Sequence, residues 1–244
     1  MTFTITSFNA HAGLRPRTNG RCLPYDLAGV LADLATDITI VQETWWPADG
    51  APSAVRVAAD RLGAQTFELP FGRAVIDPWP HMRRDGGGDG AIGLTVLTRV
   101  PARLIAPVPF GRVFNDHTPE RGGLHLEVDV PGGPVDLVGV HLTSRLPYGP
   151  PIQLRRLRAQ LPPPVRPTIV SGDCNFWGPG VATFLPGWQR AVRGRTWPAR
   201  MPHSQIDHIL LRDGVDARLR VVHAEVLPDV GSDHLPVRAT LEVL

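Results

Sequence analysis

Along residues 2–9 apolar and polar positions alternate (TFTITSFN), the period-two pattern of a strand with one buried face. The period then changes. Leu23, Leu27, Val30, Leu31 and Leu34 recur at helical spacing over 23–35, and DITIVQE at 37–43 returns to strand character, so the chain opens as β-α-β. A second helix is expected over 52–62. Short strands near 65–69 and 73–76 follow, then a loop at 81–90, HMRRDGGGDG, too rich in glycine to be regular. Strands dominate from there, at 91–98, 102–108, 123–130 and 134–141, the last two joined as a hairpin through the PGG turn at 131–133. A third helix over 151–161 turns Leu154, Leu157 and Leu161 inward and Arg155, Arg156 and Arg158 to solvent, and Pro162 to Pro164 end it. Strands near 167–171, 206–211, 218–226 and 236–243 complete the pattern.

Composition sharpens this picture. A chain of 244 residues, 43% hydrophobic, can bury a sizeable core. Its 25 glycines and 26 prolines are scattered as short punctuation rather than gathered in a linker, so a single α/β domain over 1–244 is expected. Two halves rich in β-α-β suit two packed sheets flanked by helices. All 25 basic residues are arginine, so anion recognition rests on guanidinium forks, and a net charge of +2 is too small to indicate a nucleic-acid partner by itself. Cys22 and Cys174 are expected to be free thiols. The N-terminus enters a strand without a leader pattern, and no apolar run is long enough to cross a bilayer. A cytoplasmic location with no obligate protein partner is the expectation.

The polar residues of interest share one placement, at the ends of apolar strands or in the turns beside them. Asn9 follows FTITSF, Glu43 follows ITIVQ, and His141 follows DLVGV. Asp173 and Asn175 follow TIVSG, Asp207 opens DHILL, and Asp233 and His234 precede LPVRATLEV. Strand ends are where sheet proteins collect functional groups from distant parts of the chain. Acids, amides and imidazoles together suit phosphoryl transfer to water, which needs a hard cation on carboxylates, a group to orient water, and donors for the phosphoryl oxygens. Glycine-rich nucleotide loops, serine elbows and cysteine metal clusters are absent from the sequence.

Taken in order, SFNAH, IVQET, GVHLTSR, SGDCN, SQIDHIL and GSDHLPV resemble the six signature segments of the endonuclease/exonuclease/phosphatase (DNase I-like) superfamily, across essentially the whole chain. The resemblance implies a four-layered α/β sandwich and a Mg²⁺- or Mn²⁺-dependent hydrolase acting on a phosphate ester. It implies Glu43 as principal metal ligand, with Asn9 and Asp233 beside the same ion. Asp173 would orient or deprotonate the attacking water and Asn175 would donate to the phosphate. His234, held by Asp207, would contact the phosphate, His141 would bind a phosphate oxygen or assist the leaving group, and Arg121 would support the site. Two positions depart from the family pattern: His11, where relatives carry an acid or arginine, and His208, where a tyrosine is common.

Other residues carry two readings. Trp45, Trp46 and Trp177 sit next to the motifs and are candidates for stacking on a flat substrate group, with Trp45 and Trp177 as substrate contacts; core packing is the alternative. Arg83 and Arg84 of the 81–90 loop are candidates for closing over a phosphate, and His81, His117 and His203 for lining a cleft. The expected substrate is a phosphodiester in DNA, RNA or a nucleotide-like molecule. The alternatives are a small metabolite or lipid head group, and a non-catalytic binding relative.

Overall fold

In the computed structural model, residues 1–17, 20–77, 79–83, 87–116 and 118–244 are described; Arg84 and His117 lie outside them. In chain order the strands are β1 (Thr2–Asn9), β2 (Leu14–Pro16), β3 (Cys22–Pro24), β4 (Ile38–Pro47), β5 (Gln65–Val75), β6 (His81–Met82), β7 (Gly90–Thr98), β8 (Ala102–Pro109), β9 (Gly122–Val130), β10 (Gly133–His141), β11 (Thr168–Asp173), β12 (Gln189–Arg190), β13 (Asp207–Arg212), β14 (Leu219–Val226) and β15 (Val237–Val243). The helices are α1 (Leu27–Leu34), α2 (Ala54–Leu62), α3 (Gly149–Gln160) and α4 (Gly178–Phe184).

One sheet runs β14-β15-β1-β4-β7-β5-β6 and the other β12-β13-β11-β10-β9-β8. Their facing sides form the main core, in which Phe3, Ile5, Ile40 and Val96 of the first sheet meet Leu126, Leu137, Ile169 and Ile209 of the second. Each outer face is covered by helices. Leu27 and Leu31 of α1 and Val55 and Ala58 of α2 pack with Phe8 and Val41, whereas Leu154 and Leu157 of α3 and Val181 of α4 pack with Val140 and Val170. The result is the four-layered α/β sandwich expected from the sequence. The central strands are buried on both faces, which is why they read as nearly continuous apolar runs.

Local chemistry accounts for the boundaries that differ from expectation. Leu23 is not helical: Cys22–Pro24 pairs with Leu14–Pro16, leaving Leu23 exposed, and α1 begins only where Asp26 accepts the Gly29 N–H as an N-cap. Ser53 caps α2 in the same way by accepting from Arg56 N. The two strands expected at 65–69 and 73–76 are one strand, bulged between Pro70 and Gly72 opposite β7. Helix α4, in GPGVATF, was concealed by its glycines and proline. Arg156, expected on a solvated helix face, donates to the carbonyls of Phe110 and Arg112. Both cysteines are free, as expected, and Cys174 is fully buried.

Gly172, next to Asp173, has φ +154°, and a Cβ there would fall 1.9 Å from the Val140 carbonyl oxygen. Gly172→Ala should therefore cost about 3 kcal/mol of unfolding free energy by urea titration, since neither backbone has room to yield. A loss under about 0.5 kcal/mol, the range of an ordinary surface change, would contradict this close approach.

Candidate active site

The register of the second sheet sets three of the chemical groups side by side. His141 at the end of β10 is opposite Asp173 at the end of β11, which is in turn opposite Asp207 at the start of β13. The facing sheet delivers Asn9 from the end of β1 and Glu43 from β4. Glu43 is the unpaired residue of a bulge, because Gln42 pairs with Leu94 and Thr44 with Gly93, and its φ of +55° is left-handed. Such strain is tolerated where the surroundings hold it, and here it carries a carboxylate to the junction of the sheets.

The Asn9 amide bridges the two sheets, donating from Nδ2 to Asp173 Oδ2 (3.0 Å) and Glu43 Oε1 (3.3 Å). Its Oδ1 accepts the backbone N–H of His11 (3.0 Å), whose ring turns away to contact the Leu14 carbonyl. His11 thus acts on the site through its backbone. Ser232 donates to the Asn9 carbonyl (2.7 Å) and accepts from His234 N (3.3 Å), fixing the turn that carries Asp233 and His234.

Asp173 is 1% exposed and lies within 4.0 Å of both imidazoles, at 3.7 Å from His141 Nε2 and 4.0 Å from His234 Nε2. Burial, and then the neighbouring Asp207 charge, raise its carboxyl to about 7, against the lowering pull of His234. Asn175 donates to it from N (2.7 Å) and Nδ2 (3.3 Å) and gives its other amide hydrogen to the Leu142 carbonyl. Both side-chain hydrogens are thereby committed to protein, so Asn175 holds Asp173 here; the donation to phosphate expected from the sequence has no free hydrogen in this arrangement.

The two imidazoles differ in charge. Burial would push His234 down, but Asp207, which accepts from Nδ1 at 2.9 Å, together with Asp173 and Asp233, raises it to about 10, so it is an imidazolium. Burial, then Arg121 and His234, push His141 well below its usual value, so it is neutral. Its Nε2 accepts from Arg121 Nη1 (2.7 Å), which also donates to the Leu142 carbonyl. His208 is buried, which lowers it to about 4, and its Nε2 lies 2.9 Å from the Phe176 carbonyl.

Two cavities meet at Glu43 and Arg121. The smaller, about 170 Å³, is lined also by His141, Phe71, His81 and Met82. The larger, about 330 Å³, holds Asp173, Asn175, Asp233, His234 and Trp177. Trp177 is thus at the site, 49% exposed. Trp45 is not. Beyond the bulge its ring packs on Gly90 with Ala12, Ala74 and Ile92, and it borders a separate small cavity with Leu27 and Pro52. Its assignment as a substrate contact is therefore corrected. Trp46 is half-buried, with its indole N–H enclosed and, among the described residues, without a hydrogen-bond partner. Trp197 and Leu146, which no motif marked, line the larger cavity, and His203 stands edge-on to Trp197 at 5.4 Å.

A divalent cation fits the oxygen-rich side of this cluster. Asp173, Asp207 and His234 place ligand atoms within 4.8 Å of one another. Within this trio, His234 Nδ1 is 2.9 Å from Asp207 Oδ2 and His234 Nε2 is 4.0 Å from Asp173 Oδ2. Glu43, whose carboxylate among the described residues accepts one hydrogen bond, from Asn9, and Asp233 offer the hard oxygens that Mg²⁺ or Mn²⁺ prefers.

A family model described as the Endonuclease/Exonuclease/phosphatase family matches residues 6–234. The chain belongs to this family. Endonuclease/exonuclease/phosphatase proteins are divalent-metal-dependent phosphoester hydrolases, which agrees with the buried acid and imidazole cluster. No curated protein is a sequence match. Among solved structures, the endonuclease/exonuclease/phosphatase from Beutenbergia cavernae DSM 12333 is 18% identical over 99% of this chain and 72% of its own, with TM-score 0.73. D. rerio TDP2 complexed with single strand DNA product is 20% identical over 99% of both chains, with TM-score 0.66. ANGEL2, a 2',3'-cyclic phosphatase, in complex with adenosine-2',3'-vanadate, is 14% identical over 99% of this chain and 95% of its own, with TM-score 0.63. At these identities the likeness concerns the fold. Among the described residues, no helix is long and apolar enough to cross a membrane.

Proposed function

We propose that this chain is a cytoplasmic phosphodiesterase, a single catalytic unit over 1–244, that uses Mg²⁺ or Mn²⁺ to hydrolyse nucleic acid or a nucleotide-like ester. The observation that carries the reading is the convergence on Asp173 of its neighbour Asn175 and of groups from four separated segments: Asn9, His141, Asp207 across the sheet, and His234. Its carboxyl, raised to about 7, takes up the proton of an attacking water near neutral pH. Asn9 and Asn175 aim that carboxylate, and the His234 imidazolium, sustained by Asp207, meets the charge that grows on the phosphoryl oxygens. Arg121 lines both cavities and adds a second cation, holding the neutral His141 ring in place. Glu43 and Asp233, with Asn9 bracing Glu43, would hold the divalent metal, which would polarise the phosphoryl group. The neighbours support the substrate class, since one carries a DNA product and another an adenosine-derived vanadate.

With Mn²⁺ or Mg²⁺, bis-p-nitrophenyl phosphate should be hydrolysed, EDTA should abolish the reaction, and Glu43→Gln should lower its rate at least about 100-fold. Hydrolysis indifferent to EDTA, or none by the wild type, would defeat the proposal. The net charge of +2 favours the second reading, a small metabolite or lipid head group. Turnover of p-nitrophenyl phosphate without cleavage of oligonucleotides would select that one.

A further inference from the structure

Two unequal cavities meeting at Glu43 and Arg121 leave room for a substituent on each side of a phosphorus atom held there, which is the shape of a diester. The larger one differs in character from the rest of the cleft. Trp177, Trp197, Leu146 and Ile206 form apolar walls, and Ser144 and Ser204 add hydroxyls at the edge. Trp177 is 49% and Leu146 52% exposed, so both leave apolar surface uncovered directly beside Asp173 and His234.

Trp197 is a fixed wall. Its N–H and carbonyl pair with Ser204 (3.0 Å each), the preceding Thr196 carbonyl accepts from Leu235 N (2.8 Å), and Ala199 N donates to the Asp233 carbonyl (2.7 Å). The backbone on both sides of Trp197 is therefore tied to the turn that carries His234. The Trp177 ring lies 4.4 Å from that of Phe176, itself seated in the core beneath α4. Stacking surfaces held this way lose little freedom when a ligand arrives.

We propose that this cavity is a base-binding slot, in which Trp177 and Trp197 receive one unpaired nucleobase adjoining the scissile phosphate. The inference rests on the phosphodiesterase reading above and narrows it to single-stranded nucleic acid. A volume of about 330 Å³ is at the small end of ligand sites, which run from roughly 300 to 1,000 Å³; it suits one nucleotide. Two indoles with hydroxyls at the rim match a flat heterocycle with polar edges better than an alkyl chain. A base inside a duplex is paired and stacked, and reaches such a slot only by leaving its helix.

The test compares three oligonucleotides of equal length in Mn²⁺: single-stranded oligothymidylate, the same strand with abasic tetrahydrofuran units in place of the bases, and a thymidylate–adenylate duplex. The wild type should cleave the first at least about tenfold more efficiently than either of the others. Trp197→Ala and Trp177→Ala should each remove most of that preference through KM, losing several-fold more on thymidylate than on the abasic strand, and Trp197→Phe should retain the preference. Quenching of indole fluorescence by thymidine monophosphate, but not by deoxyribose 5-phosphate, should likewise be lost in both alanine variants. Equal cleavage of thymidylate and abasic strands by the wild type, or equal losses on both in the variants, would overturn the slot. If the wild type hydrolysed bis-p-nitrophenyl phosphate but showed no preference for bases, the phosphodiesterase reading would stand and the slot alone would fall. Failure on every diester would remove both.

Discussion

Asp173→Asn should lower kcat on bis-p-nitrophenyl phosphate by about 10²–10⁴-fold, the usual span for loss of a positioned general base. Asparagine keeps the acceptor that Asn175 N addresses at 2.7 Å, but it turns an amide toward the Asn9 and Asn175 Nδ2 donors and cannot take a proton from water. Retention of more than a tenth of the activity would show that the proton goes elsewhere. The same substitution carries a thermodynamic signature in the metal-free protein. Burial first, and Asp207 second, raise the Asp173 carboxyl to about 7 in the folded state, against about 4 in the unfolded chain. Between those values the folded protein keeps a proton that the unfolded chain has released, so this group's contribution to stability declines as pH rises through that window. Paired urea titrations in EDTA at pH 4 and pH 8 should therefore move in favour of the Asn variant at the higher pH. A difference independent of pH would mean that Asp173 titrates normally.

Asp207→Asn and His234→Ala should each reduce kcat/KM about 10²–10³-fold, while the double substitution costs little more than either alone, because the two act as one unit. The pH profile separates their parts. Asp207 and its neighbours hold His234 protonated to about 10, so the wild-type rate should keep this group's contribution up to that pH and lose it above. Without the Asp207 charge the ring reverts toward its ordinary range, and the basic limb of Asp207→Asn should begin at lower pH. A coincident basic limb in both proteins would assign it to another group. Losses that simply multiply would sever the pair, whose ring nitrogen and carboxylate oxygen are 2.9 Å apart.

Much of this could be read in the chain because the site is assembled from strand ends, and strand ends follow from where apolar runs stop. The runs before Asn9, Glu43, His141 and Asp173 each finish within a few residues of the side chain that faces the cleft. Parity along β4 was harder to read. A period-two count carries past Glu43 without interruption, but the bulge inserts a residue, and Trp45 consequently packs on Gly90 instead of facing substrate. Trp197 was illegible for another reason. It lies in no motif, and the backbone bonds of its loop, its own to Ser204 and those of Thr196 and Ala199 to Leu235 and Asp233, bring it to the cleft. Orientation within the motifs was also hidden: Asn175 is where the resemblance puts it, yet its amide hydrogens go to Asp173 and Leu142.

The Asn9 amide spans a seam, with one carboxylate partner on its own sheet and the other on the sheet opposite. Sliding one layer over the other by even an ångström would part Glu43 from Asp173 while leaving every strand ladder intact. Turnover in this enzyme is thus a gauge of how well two stacked layers stay in alignment, and mild denaturant would silence it before circular dichroism registered any loss of strand.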